Sequence, residues 1–180
     1  MINFSNKHRS DQTEIMDDLD FQGIEMKNLL EDLKAVNKWL GGNTITIDGI
    51  KKLLKNHSNS EKITILDIGC GDGELLRKCA DFGNRNNFNF NCVGLDFNEN
   101  IIAFAKEKSR GYPNIKFQKV DVFLEESLIP NCDIAICTLF LHHFSNEQIE
   151  GLLKKLIQKV SIGVVINDLH RNKQAFNLFK

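Results

Sequence analysis

Residues 65–76 read ILDIGCGDGELL, with three glycines at alternate positions directly after an apolar run. An apolar run without polar alternation reads as a strand buried on both faces, and the segment after Gly73 reads as a helix. Glycine lacks Cβ and admits positive φ, so such a turn lets a ligand lie against the backbone, with the helix N-terminal amides nearby. The same composition also serves a tight strand–helix connection that holds no ligand. A dinucleotide loop would read G-x-G-x-x-G, and here Glu74 stands at the third glycine position. Asp67 and Asp72 add further negative charge. The loop therefore suits a cationic or zwitterionic ligand better than a pyrophosphate.

Further short apolar runs lie at 90–95 (FNCVGL), 115–120 (IKFQKV), 133–138 (DIAICT) and 162–167 (IGVVIN). Helical patterns fall between most of them, at 73–82, 98–109 and 146–159, and the last opens on Ser145-Asn-Glu-Gln148, a capping box. Residues 122–130 carry no decisive pattern. Strands alternating with helices predict an α/β, doubly wound, mostly parallel sheet with right-handed crossovers. Ligands of such sheets bind beyond the carboxyl ends of the strands.

Upstream, Ile24, Leu29, Leu30, Leu33, Val36 and Leu40 give a helical rhythm that stops at Gly41-Gly42, and a short helix is expected over 47–55. Residues 1–56 form an N-terminal helical cap in this reading, with 15–42 placed to fold over the site as a lid, and 60–180 form the α/β domain. Residues 1–20 hold few apolar anchors and are expected to be mobile.

Composition narrows the classes. The chain has 180 residues, a net charge of −1, 42% apolar and 26% charged residues, which fits one globular core. Nothing in that balance favours nucleic acid or an acidic membrane surface. No apolar run approaches the roughly 20 residues of a membrane span. Five cysteines without a CxxC pair favour reduced thiols in a cytoplasmic protein over disulfides or a metal site.

Two more acids fall at strand ends. Asp96 closes the second strand, 29 residues after Asp67, where a carboxylate can accept from both hydroxyls of a ribose or cap the next helix, a role open to Asn98 as well. Asp121 follows the third strand, placed to meet an adenine amino group. His142 and His143 follow the fourth strand; either can take a proton from a substrate hydroxyl or pack in the loop, with His143 placed first. Asp168, His170 and Arg171 lie on the same edge, to shape a substrate pocket or cap a helix. Phe140 and Phe144 are candidates to line an aromatic or lipid-like substrate, or to pack in the core.

Asp67-Ile-Gly69-Cys-Gly71-Asp-Gly73, followed by Asp96 and Asp121 at successive strand ends, resembles the class I S-adenosylmethionine-dependent methyltransferases, and CDIAICTLFLHHF is similar to their fourth strand and loop. LLEDLKAVNKWLGG resembles, more weakly, the lead-in of a small-molecule subgroup. The resemblance implies that Asp67 and the loop Gly69-Cys70-Gly71-Asp72-Gly73 hold the methionine end of the donor. It implies Asp96 on the ribose, Phe97 against adenine, Asp121 and Val122 at the adenine edge, and Thr138 and Leu139 beside the sulfonium. The expected function is methyl transfer to a small molecule, at a hydroxyl oxygen of an aromatic or polyketide-like compound.

Where that family usually has seven strands, the last two forming a hairpin, this sequence reads as five. RNKQAFNLFK, residues 171–180, then leaves apolar residues without a strand to cover. The uncovered edge predicts association, as a homodimer through that edge, or poor solubility. It also leaves a second function open, a truncated and catalytically inactive donor-binding module. A nucleotide-dependent oxidoreductase is disfavoured by Glu74. Amino-group methylation of bases is disfavoured because CTLF stands where an Asn-Pro-Pro-aromatic motif would be.

Overall fold

A computed structural model describes residues 22–39, 41–57 and 61–168. The expectations for residues 1–20, for His170 and Arg171 and for residues 171–180 lie outside the described residues. Five strands, β1 (Lys62–Ile68), β2 (Asn89–Asp96), β3 (Ile115–Lys119), β4 (Cys132–Thr138) and β5 (Val160–Asn167), form one sheet. Its order is β3-β2-β1-β4-β5, and every pairing is parallel. The doubly wound α/β expectation holds, and the strand order reverses direction between β1 and β4.

The helices are α1 (Gly23–Trp39), α2 (Gly42–Leu53), α3 (Glu74–Asn86), α4 (Glu99–Lys108) and α5 (Asn146–Lys159). Alternation along the strands divides the core. Ile63 and Ile65 of β1 and Ile134 and Ile136 of β4 meet Ile50 of α2, Leu76 of α3 and Ile102 of α4 on one face. Leu66, Ile68, Ala135 and Cys137 meet Leu152 and Leu156 of α5 on the other. The strands buried on both faces are central, whereas β3 and β5 lie at the edges with fewer buried residues. Ile166 of β5 is 47% exposed.

The N-terminal segment is packed onto the α/β layer. Met26 and Leu30 of α1 are buried against Ile101 and Phe104 of α4, and Lys108 donates to Glu31 at 2.9 Å. Helix α2 begins at Gly42, five residues before the sequence expectation. GNTIT is poor in helix formers, but tertiary contacts decide the matter: Thr46 is fully buried, and Asn167 donates to the Gly42 carbonyl oxygen at 2.9 Å. Residues 122–130, which the sequence left open, form turns and a single 3-10 turn at Glu126–Leu128.

Candidate functional site

The carboxyl ends of β1, β2 and β4 bring the sequence-predicted residues to one edge. The loop after β1 leaves the sheet by hanging on β2: the amides of Gly69 and Cys70 both donate to the Leu95 carbonyl oxygen, at 2.9 and 3.0 Å. Gly69, Gly71 and Gly73 have φ of 70°, 52° and 76°, all left-handed, which explains three glycines in five residues.

Their surroundings differ, which the sequence did not reveal. A Cβ at Gly69 would run into the ring of Phe140, and one at Gly73 would run into Phe117. At Gly71 the same position meets nothing within 4 Å. Two of the three glycines thus admit the protein's own aromatic rings, and Gly71 is the one whose backbone faces open space. Cys70 turns its side chain into the core, so it offers only backbone to the site.

The acids also divide. Asp72 accepts from the Glu74 amide at 2.8 Å and pairs with Arg77, whose Nη2 lies 3.1 Å from Oδ2 and whose Nη1 donates to the Asp72 carbonyl oxygen. Glu74 pairs with Lys78 at 3.4 Å. These two acids are neutralised within α3 and its entry turn. Arg77, one helical turn into α3, was not singled out by the sequence reading. Its spacing of five residues from Asp72 was the available signal.

Asp67 and Asp96 remain. Asp67 is 2% exposed, its Oδ2 has no hydrogen-bond partner, and burial, reinforced by the Asp96 charge, holds its carboxyl well above the usual range. Asp96 accepts from the Gly71 amide at 3.2 Å and from the Asn98 amide at 3.1 Å, so it clamps the glycine loop to the end of β2. Burial still pushes it up to about 6 against those hydrogen bonds. The cap of α4 falls to Asn98, which accepts from Asn100 and Ile101, and the helix-cap alternative for Asp96 is thereby filled by another residue. Phe97 is half-buried beside it.

Asp121 uses Oδ1 to accept from the amides of Phe123 and Leu124, at 2.9 and 3.2 Å, a local turn role beside the buried Val122. After β4, Thr138 shares a 2.9 Å hydrogen bond with Thr46, and Leu139 takes a left-handed φ of 53°. A non-glycine residue there is strained and held by its surroundings, here by donation from its amide to the Asn167 carbonyl oxygen at 2.9 Å.

That strained corner presents His142 and His143 in a single 3-10 turn, their rings 4.2 Å apart. His142 Nδ1 lies 2.7 Å from Asp168 Oδ1, and the His142 amide donates to Oδ2 of the same carboxylate at 3.1 Å. Two contacts from one residue to one carboxylate fix the ring orientation. Phe144 packs between Phe123 and Phe140, at ring separations of 4.5 and 4.8 Å, so both phenylalanines named in the sequence join one aromatic cluster.

A parallel α/β sheet with a glycine loop and paired buried acids at its switch point defines the doubly wound class, whose ligands bind beyond the carboxyl ends of the strands. The comparisons name the family. Residues 59–175 match the family model described as a methyltransferase domain, and the chain belongs to that family. It is 27% identical over 105 residues to the phosphoethanolamine N-methyltransferase 3 of Arabidopsis thaliana, covering 57% of this chain and 20% of that protein. It is 26% identical over 136 residues to the ubiquinone biosynthesis O-methyltransferase of Rickettsia canadensis (strain McKiel), covering 72% and 52%. The chain spans about half the length, or less, of the curated relatives it matches.

Among solved structures, the plantazolicin methyltransferase BpumL in complex with a pentazolic desmethylPZN analog and SAH has a TM-score of 0.62 and 22% identity, covering 86% of this chain and 55% of that one. That likeness establishes the Rossmann-like methyltransferase fold. Among the described residues, no helix is long and apolar enough to cross a membrane.

Proposed function

We propose that this chain is the donor-binding part of an S-adenosylmethionine-dependent methyltransferase that acts on a small molecule, at a hydroxyl oxygen. One observation carries the reading: Asp67, almost fully buried, keeps a carboxylate oxygen without a partner at the open Gly71 turn. A buried acceptor left unmade is costly, and an ammonium group satisfies it while neutralising the Asp67–Asp96 repulsion. The residues present fit the donor. Asp67 accepts from its ammonium group, Gly71 leaves room against the backbone, and Asp96, already oriented by two amides, accepts from the ribose hydroxyls. Phe97, Asp121 and Val122 are assigned to the adenine, and Thr138 and Leu139 to the border of the reacting centre.

When bound, the donor supplies an electrophilic methyl group. The chain's own work is to hold it in line with the acceptor, exclude water and remove the acceptor's proton. For the proton we place His142 ahead of His143. With Nδ1 on Asp168, the neutral imidazole carries its proton there and has its basic lone pair on Nε2. The aromatic cluster of Phe123, Phe140 and Phe144 supports an aromatic acceptor.

The test is transfer of a labelled methyl group from S-adenosylmethionine to a panel of phenols, catechols and hydroxylated polyketide-like compounds. Label on an oxygen of one of them is the expected result. Binding of S-adenosylhomocysteine without transfer to any candidate would replace the enzyme reading with the inactive donor-binding module. NADH binding without S-adenosylhomocysteine binding would overturn both.

A further inference from the structure

Asp67 is matched, on the same side of the sheet, by an orphaned donor. Asn43, in the first turn of α2, is 6% exposed, and its Nδ2 has no hydrogen-bond partner. Its Oδ1 accepts from Asn37 Nδ2 at 2.9 Å, which commits one end of the amide and leaves the NH2 end buried and unmade. A buried amide donor in that state is costly, so its retention asks for an acceptor that arrives from outside the chain.

Three contacts fix where this donor sits. Thr46, one helical turn beyond Asn43 and on the same helix face, bonds to Thr138 at the end of β4. Asn167, at the end of β5, donates to the Gly42 carbonyl oxygen and, at 3.2 Å, to Thr46 Oγ1. The start of α2 is therefore pinned at the carboxyl edge of the sheet. Strand alternation puts Asp67 on the face of Ile63 and Ile65, the face that α2 covers through Ile50 and Leu54. An unmade acceptor and an unmade donor thus share one edge and one face.

The helix end itself adds to the donor's character. Gly41 precedes α2 without any side-chain cap, and no acidic residue stands in the first turn. Amides of a first turn have no partner within their helix, and the helix dipole favours an anion there. Gly42 and Asn43 are both buried, which strengthens the demand for a partner.

We propose that Asn43, with the first-turn amides of α2, binds the α-carboxylate of the donor's amino-acid end while Asp67 binds its ammonium group. The pair reads a zwitterion, and α2 becomes part of the donor site rather than only a cap over it. This assignment rests on the donor reading above, and it adds a residue that the glycine loop and the strand-end acids do not include.

The test is calorimetric titration of two ligands into the full chain: S-adenosylhomocysteine, and its decarboxylated thioether, which keeps the ammonium group and lacks the carboxylate. Asn43→Ala is expected to weaken S-adenosylhomocysteine about ten- to hundred-fold, the effect of one hydrogen bond to a charged group, and to leave the decarboxylated ligand within about two-fold. Asn43→Asp is expected to weaken S-adenosylhomocysteine further through like-charge repulsion, and to leave the decarboxylated ligand unchanged or tighter. A carboxylate at a helix N-terminus stabilises the helix, so unwinding of α2 does not account for that loss, and thermal melts of both variants check it. Equal losses for the two ligands, or no loss for S-adenosylhomocysteine, overturn the assignment while wild-type binding keeps the donor reading. Failure of the wild type to bind S-adenosylhomocysteine overturns both.

Discussion

Replacing Asp96 by Asn is expected to change how the stability of the ligand-free chain depends on pH. Burial at the end of β2 outweighs the amides of Asn98, Gly71 and Phe97 and raises the Asp96 carboxyl from 3.8 to about 6. The folded chain then holds this proton more tightly than the unfolded chain does. The resulting stability is fully present below the unfolded value of 3.8 and is lost as pH rises through about 6. The full span corresponds to about 3 kcal/mol, of which about 1.4 kcal/mol falls between about pH 5 and pH 7.5. Asn does not titrate, so this loss disappears in the variant, while common groups that do not feel the Asp96 charge cancel in the difference. Asp67 adds to the same sign, because the Asp96 charge helps to hold it up. Asn also gives up one acceptor for the Gly71 or Asn98 amide, at about 1 kcal/mol independent of pH, so the slope and not the absolute stability is the readout. Urea unfolding at several pH values measures it. Wild type should lose about 1.4 kcal/mol more than Asp96→Asn across that interval. Parallel profiles would refute the claim that this carboxylate is held desolvated at the end of β2.

Gly69→Ala meets both a left-handed φ and the Phe140 ring, and is expected to cost about 2–4 kcal/mol by thermal or urea unfolding. In a Phe140→Ala background the same change should cost less by about 1 kcal/mol or more, and strict additivity would mean that the ring does not pack on Gly69. His142→Ala is expected to lower methyl transfer about a hundred-fold or more while S-adenosylhomocysteine affinity stays within about two-fold, with a smaller effect for His143→Ala. Asp168→Asn should shift His142 away from the tautomer with its proton on Nδ1, read from imidazole 15N shifts; an unchanged tautomer would remove Asp168 as its positioning residue.

The sheet was legible because its central strands are apolar on both faces and are separated by helical rhythms that local sequence sets. KITILDI and CDIAICT need no partner to be read as buried strands. Asp67 and Asp96 were legible for the same reason, since they are the penultimate and the last residue of two such strands. What escaped depended on contacts between distant segments. Gly69 admits Phe140 and Gly73 admits Phe117, pairings 71 and 44 residues apart. The early start of α2 runs against local propensity and is imposed by Thr138 and Asn167. The roles of Asp72 and Glu74 changed once Arg77 and Lys78 were seen beside them. Asn43 carries no motif at all, and only its buried Nδ2 without an acceptor marks it.

Calorimetric titration of S-adenosylhomocysteine into the wild-type chain and into Asp96→Ala asks whether the strand-end site holds the methyl donor. One-to-one binding to the wild type, with most of the affinity lost in a variant that melts as a folded protein, is the predicted result. No binding to the wild type, or equal binding to both chains, would contradict the assignment of this strand-end site to the methyl donor.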